Sequence, residues 1–206
     1  KFTIGVTPPG TPISLPASQH QYNDLAIDMP RGLVYGTDNS GRIDVIDLNT
    51  ANVVNSYLLP SGANPIGIDL SPNGNELAIA LNGLQKILFI NSETGVTIAE
   101  VTPQLSDDIY YTNLPFDVIY GRTGRLYSDG NPSSGGIDYL HVIDTTTHTW
   151  VTKSPYPLVL RTGAELVLKS DKNYAYANQT FSPNNIYIYN VQTDSIAQLY
   201  QGPHGP

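Results

Sequence analysis

The sequence predicts an all-β chain folded as a β-propeller, with about four four-stranded antiparallel blades. Three observations carry that reading. First, the stretch 66–103, IGIDLSPNGNELAIALNGLQKILFINSETGVTIAEVTP, divides into four short apolar runs, each ended by Gly, Pro, Asn or Ser. Four such strands joined by tight turns make one blade. Second, a tetrad of Asp or Asn, two free positions and Thr recurs at Asp47–Thr50, Asn91–Thr94, Asp144–Thr147 and Asn190–Thr193. Its spacings of 44, 53 and 46 residues are those of a blade repeat. Third, the chain holds 14 tyrosines, 18 glycines and 16 prolines, and no window sustains a 3.6-residue apolar period. Such a composition favours strands and turns over helices.

Taken in order, residues 1–21 do not make a full unit. ISLPASQHQYNDLAID has the strand, proline, linker and strand pattern of SYLLPSGANPIGIDL. The segment 1–21 is therefore expected to hold the outermost strand of a preceding blade. The first full unit, 22–63, reads as DLAID, GLVYGT, RIDVID and VVNSYLL, with Asn39-Ser-Gly41 as its central turn. The second, 64–114, contains the template stretch and ends in the insertion QLSDDIYYTN, which accounts for the 53-residue spacing. The third, 115–162, reads as FDVIY, GRLYSDG, DYLHVID and TWVTK, with a long connection NPSSGG. The fourth, 163–201, reads as AELVLKS, NYAYANQ, NIYIYNV and SIAQLYQ, and GPHGP follows.

The Asx-x-x-Thr tetrad has a local physical cause. The Asp or Asn side chain accepts from backbone N–H groups two residues on, and the Thr hydroxyl closes the same loop. Turn formation thus explains these four positions better than a ring of ligands does.

The totals exclude several functions. Net charge is −8, with 10 Lys plus Arg. No basic footprint for nucleic acid or polybasic patch for a membrane surface is visible, and no apolar run reaches transmembrane length. There is no cysteine, so disulfides and thiolate chemistry are absent. Sparse Lys and Arg with abundant Thr, Asn and Tyr has a secreted character. The chain opens on Lys1 without a signal-peptide pattern, as a processed or trimmed product would. Four blades plus a stray strand are not expected to close a ring by themselves. The expectation is a segment of a larger propeller of about six to eight blades, or a ring completed by self-association.

Pro65 to Gly74 (PIGIDLSPNG), the LAIAL strand and the VIDLNTANVV block resemble the YVTN-type β-propeller repeats of bacterial and archaeal surface and periplasmic proteins. The resemblance is tightest over 24–103. It weakens where Gly121-Arg-Thr-Gly124 and Lys169-Ser-Asp-Lys172 replace SPNG. It implies a disc of radial blades, an extracytoplasmic or cell-surface setting and a binding or scaffold role. The family also includes lactonases and copper-containing reductases, and fold does not choose among these.

Candidate site residues are few. Asp107, Asp108, Tyr110 and Tyr111 lie on the insertion and could contact a sugar, a peptide or a partner, since loops on rigid scaffolds carry binding residues. The bland alternative is a solvated loop with its tyrosines folded onto the blade. His20 and His204 occupy equivalent linkers and could donate to a metal, but a metal needs more ligands than two. His141 is expected to pack within its strand, and His148 to sit in a turn. Asp38, Asp44, Asp107, Asp108, Asp129 and Asp138 fall near loops, but DNSGRID lacks the spacing of a calcium loop and reads as a hairpin. No nucleophile elbow, zinc-protease, phosphate-loop or dinucleotide motif occurs. The expectation is a non-enzymatic binding or scaffold module without cofactor, facing a protein or polysaccharide. The alternatives are a propeller enzyme with its site at the channel mouth, and a subunit that self-assembles through open blade faces.

Overall fold

The computed structural model describes residues 21–102, 115–121, 124–130, 137–151, 159–161, 165–168, 174–178, 185–193 and 195–201. The segment 1–20, the insertion residues Asp107, Asp108, Tyr110 and Tyr111, and His204 lie outside them.

The fold is an all-β propeller architecture of four four-stranded antiparallel sheets. Blade 1 comprises β1 (Tyr22–Asp28), β2 (Leu33–Asp38), β3 (Arg42–Asp47) and β4 (Val53–Leu58), hydrogen-bonded in that order. Blade 2 repeats the meander with β5 (Pro65–Leu70), β6 (Glu76–Leu81), β7 (Lys86–Asn91) and β8 (Thr97–Val101). A three-residue 3-10 turn, Asn82–Leu84, joins β6 to β7, and Gln85 closes it in the left-handed region.

Blade 3 departs from the sequence expectation. DYLHVID, read as one strand, is broken into β11 (Ile137–Tyr139) and β12 (His141–Asp144). β9 (Pro115–Tyr120), β10 (Arg125–Gly130), β12 and β13 (Thr149–Trp150) form the four-stranded sheet. β11 pairs instead with β14 (Val159–Arg161). The break falls at Leu140, whose side chain is buried among Ile119, Tyr127, Tyr189 and Val191. Of TWVTK, the described residues in the sheet are Thr149–Trp150. Blade 4 is the regular meander β15 (Glu165–Leu168), β16 (Tyr174–Asn178), β17 (Asn185–Asn190) and β18 (Ser195–Gln201).

The first strands of successive blades lie beside one another: β1 by β5, β5 by β9, and β9 by β15. The core sits in the seams between blades. Between blades 1 and 2, Tyr35, Ile43 and Val45 meet Ile68, Leu77, Ile79 and Leu88. Between blades 2 and 3, Ala78, Ala80, Ile87 and Phe89 meet Val118, Tyr120, Leu126 and Ile143. Alternation along each middle strand sends Leu77, Ile79 and Leu81 to one seam and Ala78 and Ala80 to the other. That is why ELAIAL is apolar without interruption: both faces of a middle strand are buried.

The Asx-x-x-Thr tetrads form the turns expected of them. Asp47 Oδ1 accepts from the N–H groups of Asn49 and Thr50 and from Thr50 Oγ1, at 2.8–3.0 Å. Asn91 does the same with Glu93 and Thr94. Asp144 and Asn190 accept the two corresponding backbone bonds. The residue after each of the first three Thr is left-handed: Ala51 (φ 57°), Gly95 (φ 70°) and His148 (φ 50°).

Candidate functional site

The propeller brings its charged groups together at the seams. At the seam of blades 1 and 2, Arg31 leaves the β1–β2 turn and crosses to blade 2. Its Nε donates to Asp28 and one Nη donates to the Gly74 carbonyl. The same Nη donates to Ser92 Oγ (2.9 Å), and the other Nη to Glu93 Oε1 (3.2 Å). Asp28 is buried and also accepts from the Arg31 N–H. Ser92 Oγ in turn donates to the Gly74 carbonyl (2.6 Å). Tyr57, from β4, donates its hydroxyl to the carbonyls of Ser92 (2.8 Å) and Glu93 (2.9 Å). A planar guanidinium with five N–H groups suits such a junction of three turns.

Blades 2 and 3 are tied by a different set. Glu76 opens β6 and accepts from the Tyr120 hydroxyl at Oε1 (2.6 Å). Its Oε2 lies 2.8 Å from His148 Nε2. The His148 ring stands edge-on to Phe89, with centroids 4.6 Å apart. Burial, and then the negative charge of Glu76, push the Tyr120 phenol well above its ordinary value.

Two aspartates work along the inner strands. Asp24 Oδ1 accepts from the N–H of Leu25 (2.8 Å), and its Oδ2 from the N–H of Ile68 on β5 (2.9 Å). Asp69 accepts from its own neighbour Leu70 (2.8 Å) and from Tyr120 on β9 (2.7 Å). Inner strands lack a ladder partner on one edge, and these carboxylates take up N–H groups the sheets leave free.

Asp38 and Asp44, assigned to a hairpin by sequence, do flank one. Asp38 accepts from the N–H (2.9 Å) and hydroxyl (2.5 Å) of Ser40. Asp44 is wholly buried, and it accepts from Tyr22 (2.8 Å), Ser56 (2.7 Å) and Arg42 (3.2 Å). His141 is half-buried with its ring edge-on to Trp150. His148 is in a turn, as expected, but its bond to Glu76 was not legible. Only superposing DTTTH on NSETG places His148 at the left-handed turn position. Arg31 gives no sequence signal of its role.

The residues singled out on the insertion, Asp107, Asp108, Tyr110 and Tyr111, and the linker histidines His20 and His204 lie outside the described residues. Among the described residues no group of three or more His, Asp or Glu side chains is arranged to hold a metal ion. None of the helices among them is long and apolar enough to cross a membrane.

A shallow cleft of about 370 Å³ opens at the seam of blades 1 and 2. β1 supplies Ile27, the β1–β2 turn Met29 and Pro30, the β5–β6 turn Pro72 and Asn73, and Glu93 stands at its edge. Ile27, Met29 and Glu93 are exposed. The fixed Arg31 forms part of its wall.

Solved structures share this architecture. A WD40 domain of coronin from Toxoplasma gondii superposes with a TM-score of 0.62 at 13% identity, over 94% of this chain and 49% of that one. Hydrazine synthase from Kuenenia stuttgartiensis superposes with a TM-score of 0.55 at 12% identity, over 88% of this chain and 66% of that one. The chain thus spans about half to two thirds of the length of these structures. At such identity the likeness concerns the fold alone. No protein-family model and no curated protein sequence matches the chain.

Proposed function

We propose that the chain is a non-enzymatic binding or scaffold module that works outside the cytoplasm and presents turns and loops on rigid blades to another protein or a polysaccharide. The observation that supports this reading is the use made of charge at the seams between blades. Arg31, Asp28, Glu76, Asp24 and Asp69 each bind a neighbouring turn or blade. These groups hold the blades in place, and a surface held in place binds with less ordering cost. The YVTN-type pattern of PIGIDLSPNG and the scarcity of Lys and Arg support the extracytoplasmic setting. The cleft at the first seam, with Ile27 and Met29 exposed beside Glu93, is the contact surface this reading favours.

The test is to probe the immobilised full chain with a glycan array and a displayed library of random peptides. Saturable binding that Met29→Asp weakens at least tenfold supports the module and its cleft. Multiple turnover of a lactone or ester by the purified chain, with no saturable binding to either library, overturns it.

A further inference from the structure

The cleft between blades 1 and 2 carries an unequal set of charges. Arg31 is the cation in its wall, while Asp28 and Glu93 are acids that share it. Asp28 is buried and matches the guanidinium closely, accepting from both the Arg31 backbone N–H and Nε. Glu93 accepts from the same guanidinium at 3.2 Å, and its side chain is 70% exposed. One cation therefore answers two carboxylates, and the second of them stands in solvent at the edge of the cleft. The other charged lining residue, Asp69, is also an acid.

The apolar part of the lining is aliphatic. Ile27 and Met29 are two positions apart and exposed, with Asp28 turned inward between them. Alternation along an extended chain puts the two on one side. Among the described residues no aromatic ring lines the cleft. Proteins hold sugar rings largely by stacking their C–H faces on aromatic rings, so this lining suits a protein partner better than a polysaccharide.

We infer that the cleft takes a Lys or Arg side chain from an extended segment of a partner protein; this deepens the binding-module reading above and rests on it. The aliphatic stem of such a side chain lies across Ile27 and Met29 while its cationic head reaches Glu93. The unbranched thioether of Met29 adapts its shape to the stem. Asn73 serves the backbone of the segment. Its Oδ1 is taken by Ser71 Oγ (2.8 Å) and the Asn75 N–H (3.1 Å), so among the described residues its amide N–H groups are left to donate to a partner carbonyl. The field of the whole chain acts in the same sense, since a net charge of −8 draws basic segments in and turns acidic ones away.

Selection of a displayed random-peptide library on the immobilised full chain, followed by titration of the selected peptides as synthetic material, tests it. The expected binders carry Lys or Arg, and replacing that residue by Met weakens them. Glu93→Gln keeps an oxygen for Arg31 but removes the charge, and should weaken binding about two- to fivefold. It should also abolish the advantage of the basic residue over Met in the peptide. Raising NaCl from about 0.05 to about 0.5 M should weaken the parent but not Glu93→Gln. Met29→Gln should weaken binding through the lost apolar contact, and Glu100→Gln on β8, away from the cleft, should change nothing. Matching circular-dichroism spectra and melts show that the variants fold. Peptides that need Met29 but are indifferent to Glu93→Gln and to salt overturn the inference and leave the module reading standing. So does a neutral glycan that binds saturably and is lost in Met29→Gln. No saturable binding to either library overturns the module reading, and this inference with it.

Discussion

Ala51 and Gly95 occupy the same left-handed turn position in successive blades, so exchanging the two residue types should move stability in opposite directions. An L-residue in the left-handed region costs about 1–2 kcal/mol. Glycine loses more backbone freedom on folding, about 0.4–1 kcal/mol relative to alanine. Ala51→Gly removes the first term and adds the second, so it should stabilise by about 0.5–1 kcal/mol. Gly95→Ala reverses both and adds a collision. A Cβ at Gly95 would lie 2.7 Å from Cγ of Tyr57. That ring is buried, and its hydroxyl is held by two carbonyls of blade 2, so it has little room to move. Forcing such an overpacked contact costs about 1–3 kcal/mol. The sum is a loss of about 1.5–4 kcal/mol, or a fall in Tm of roughly 3–16 °C for a chain of this length. Urea denaturation of the two variants beside the parent measures both signs in one assay. A Gly95→Ala loss below about 0.5 kcal/mol would mean that Tyr57 yields freely, and the account of this seam would fail. Destabilisation by Ala51→Gly would refute the strain argument itself.

Three further predictions concern the seams and turns. Tyr120→Phe should destabilise by about 1–2 kcal/mol, since a charge-assisted bond to a largely buried carboxylate is lost; a double-mutant cycle with Glu76→Gln should show coupling, and additive losses would refute the bond. Arg31→Met should cost about 1–3 kcal/mol, less than a fully buried pair would, because Arg31 is about a quarter exposed; a chemical melt in which it behaves like an ordinary surface substitution would count against the junction. Backbone bonds from Thr50 lower the Asp47 carboxyl, and those from Thr146 and Thr147 lower that of Asp144. A lowered folded value gives stability that is present above the ordinary aspartate value of about 3.9 and is lost as pH falls through the folded value. Asp47→Asn with Asp144→Asn should keep the turns, as Asn91 and Asn190 show, and should flatten the acid limb of a stability–pH profile; an unchanged acid limb would mean these turns do not sense pH.

Much of the architecture was legible because propeller blades are made locally. Each strand follows its neighbour across a short turn, so apolar runs such as ELAIAL and KILFIN and the turn residues between them identify the sheets. The Asx-x-x-Thr turns were legible for the same reason: donor and acceptor lie within three residues of each other. The packing of Leu140 against Tyr189 and Val191 of the next blade was not, because those residues lie some fifty positions further on.

The sequence by itself determined the all-β class, the four-strand repeat and the turn chemistry, all of which rest on contacts between near neighbours in the chain. Tertiary structure alone decided how charge is used. Arg31 finds Gly74 and Ser92 43 and 61 residues away, and Glu76 finds Tyr120 and His148 44 and 72 residues away. No local pattern encodes those meetings. They arise because stacking successive blades brings turns of the same rank together at the seams, where any polar side chain must find a partner or bear the cost of burial unpaired.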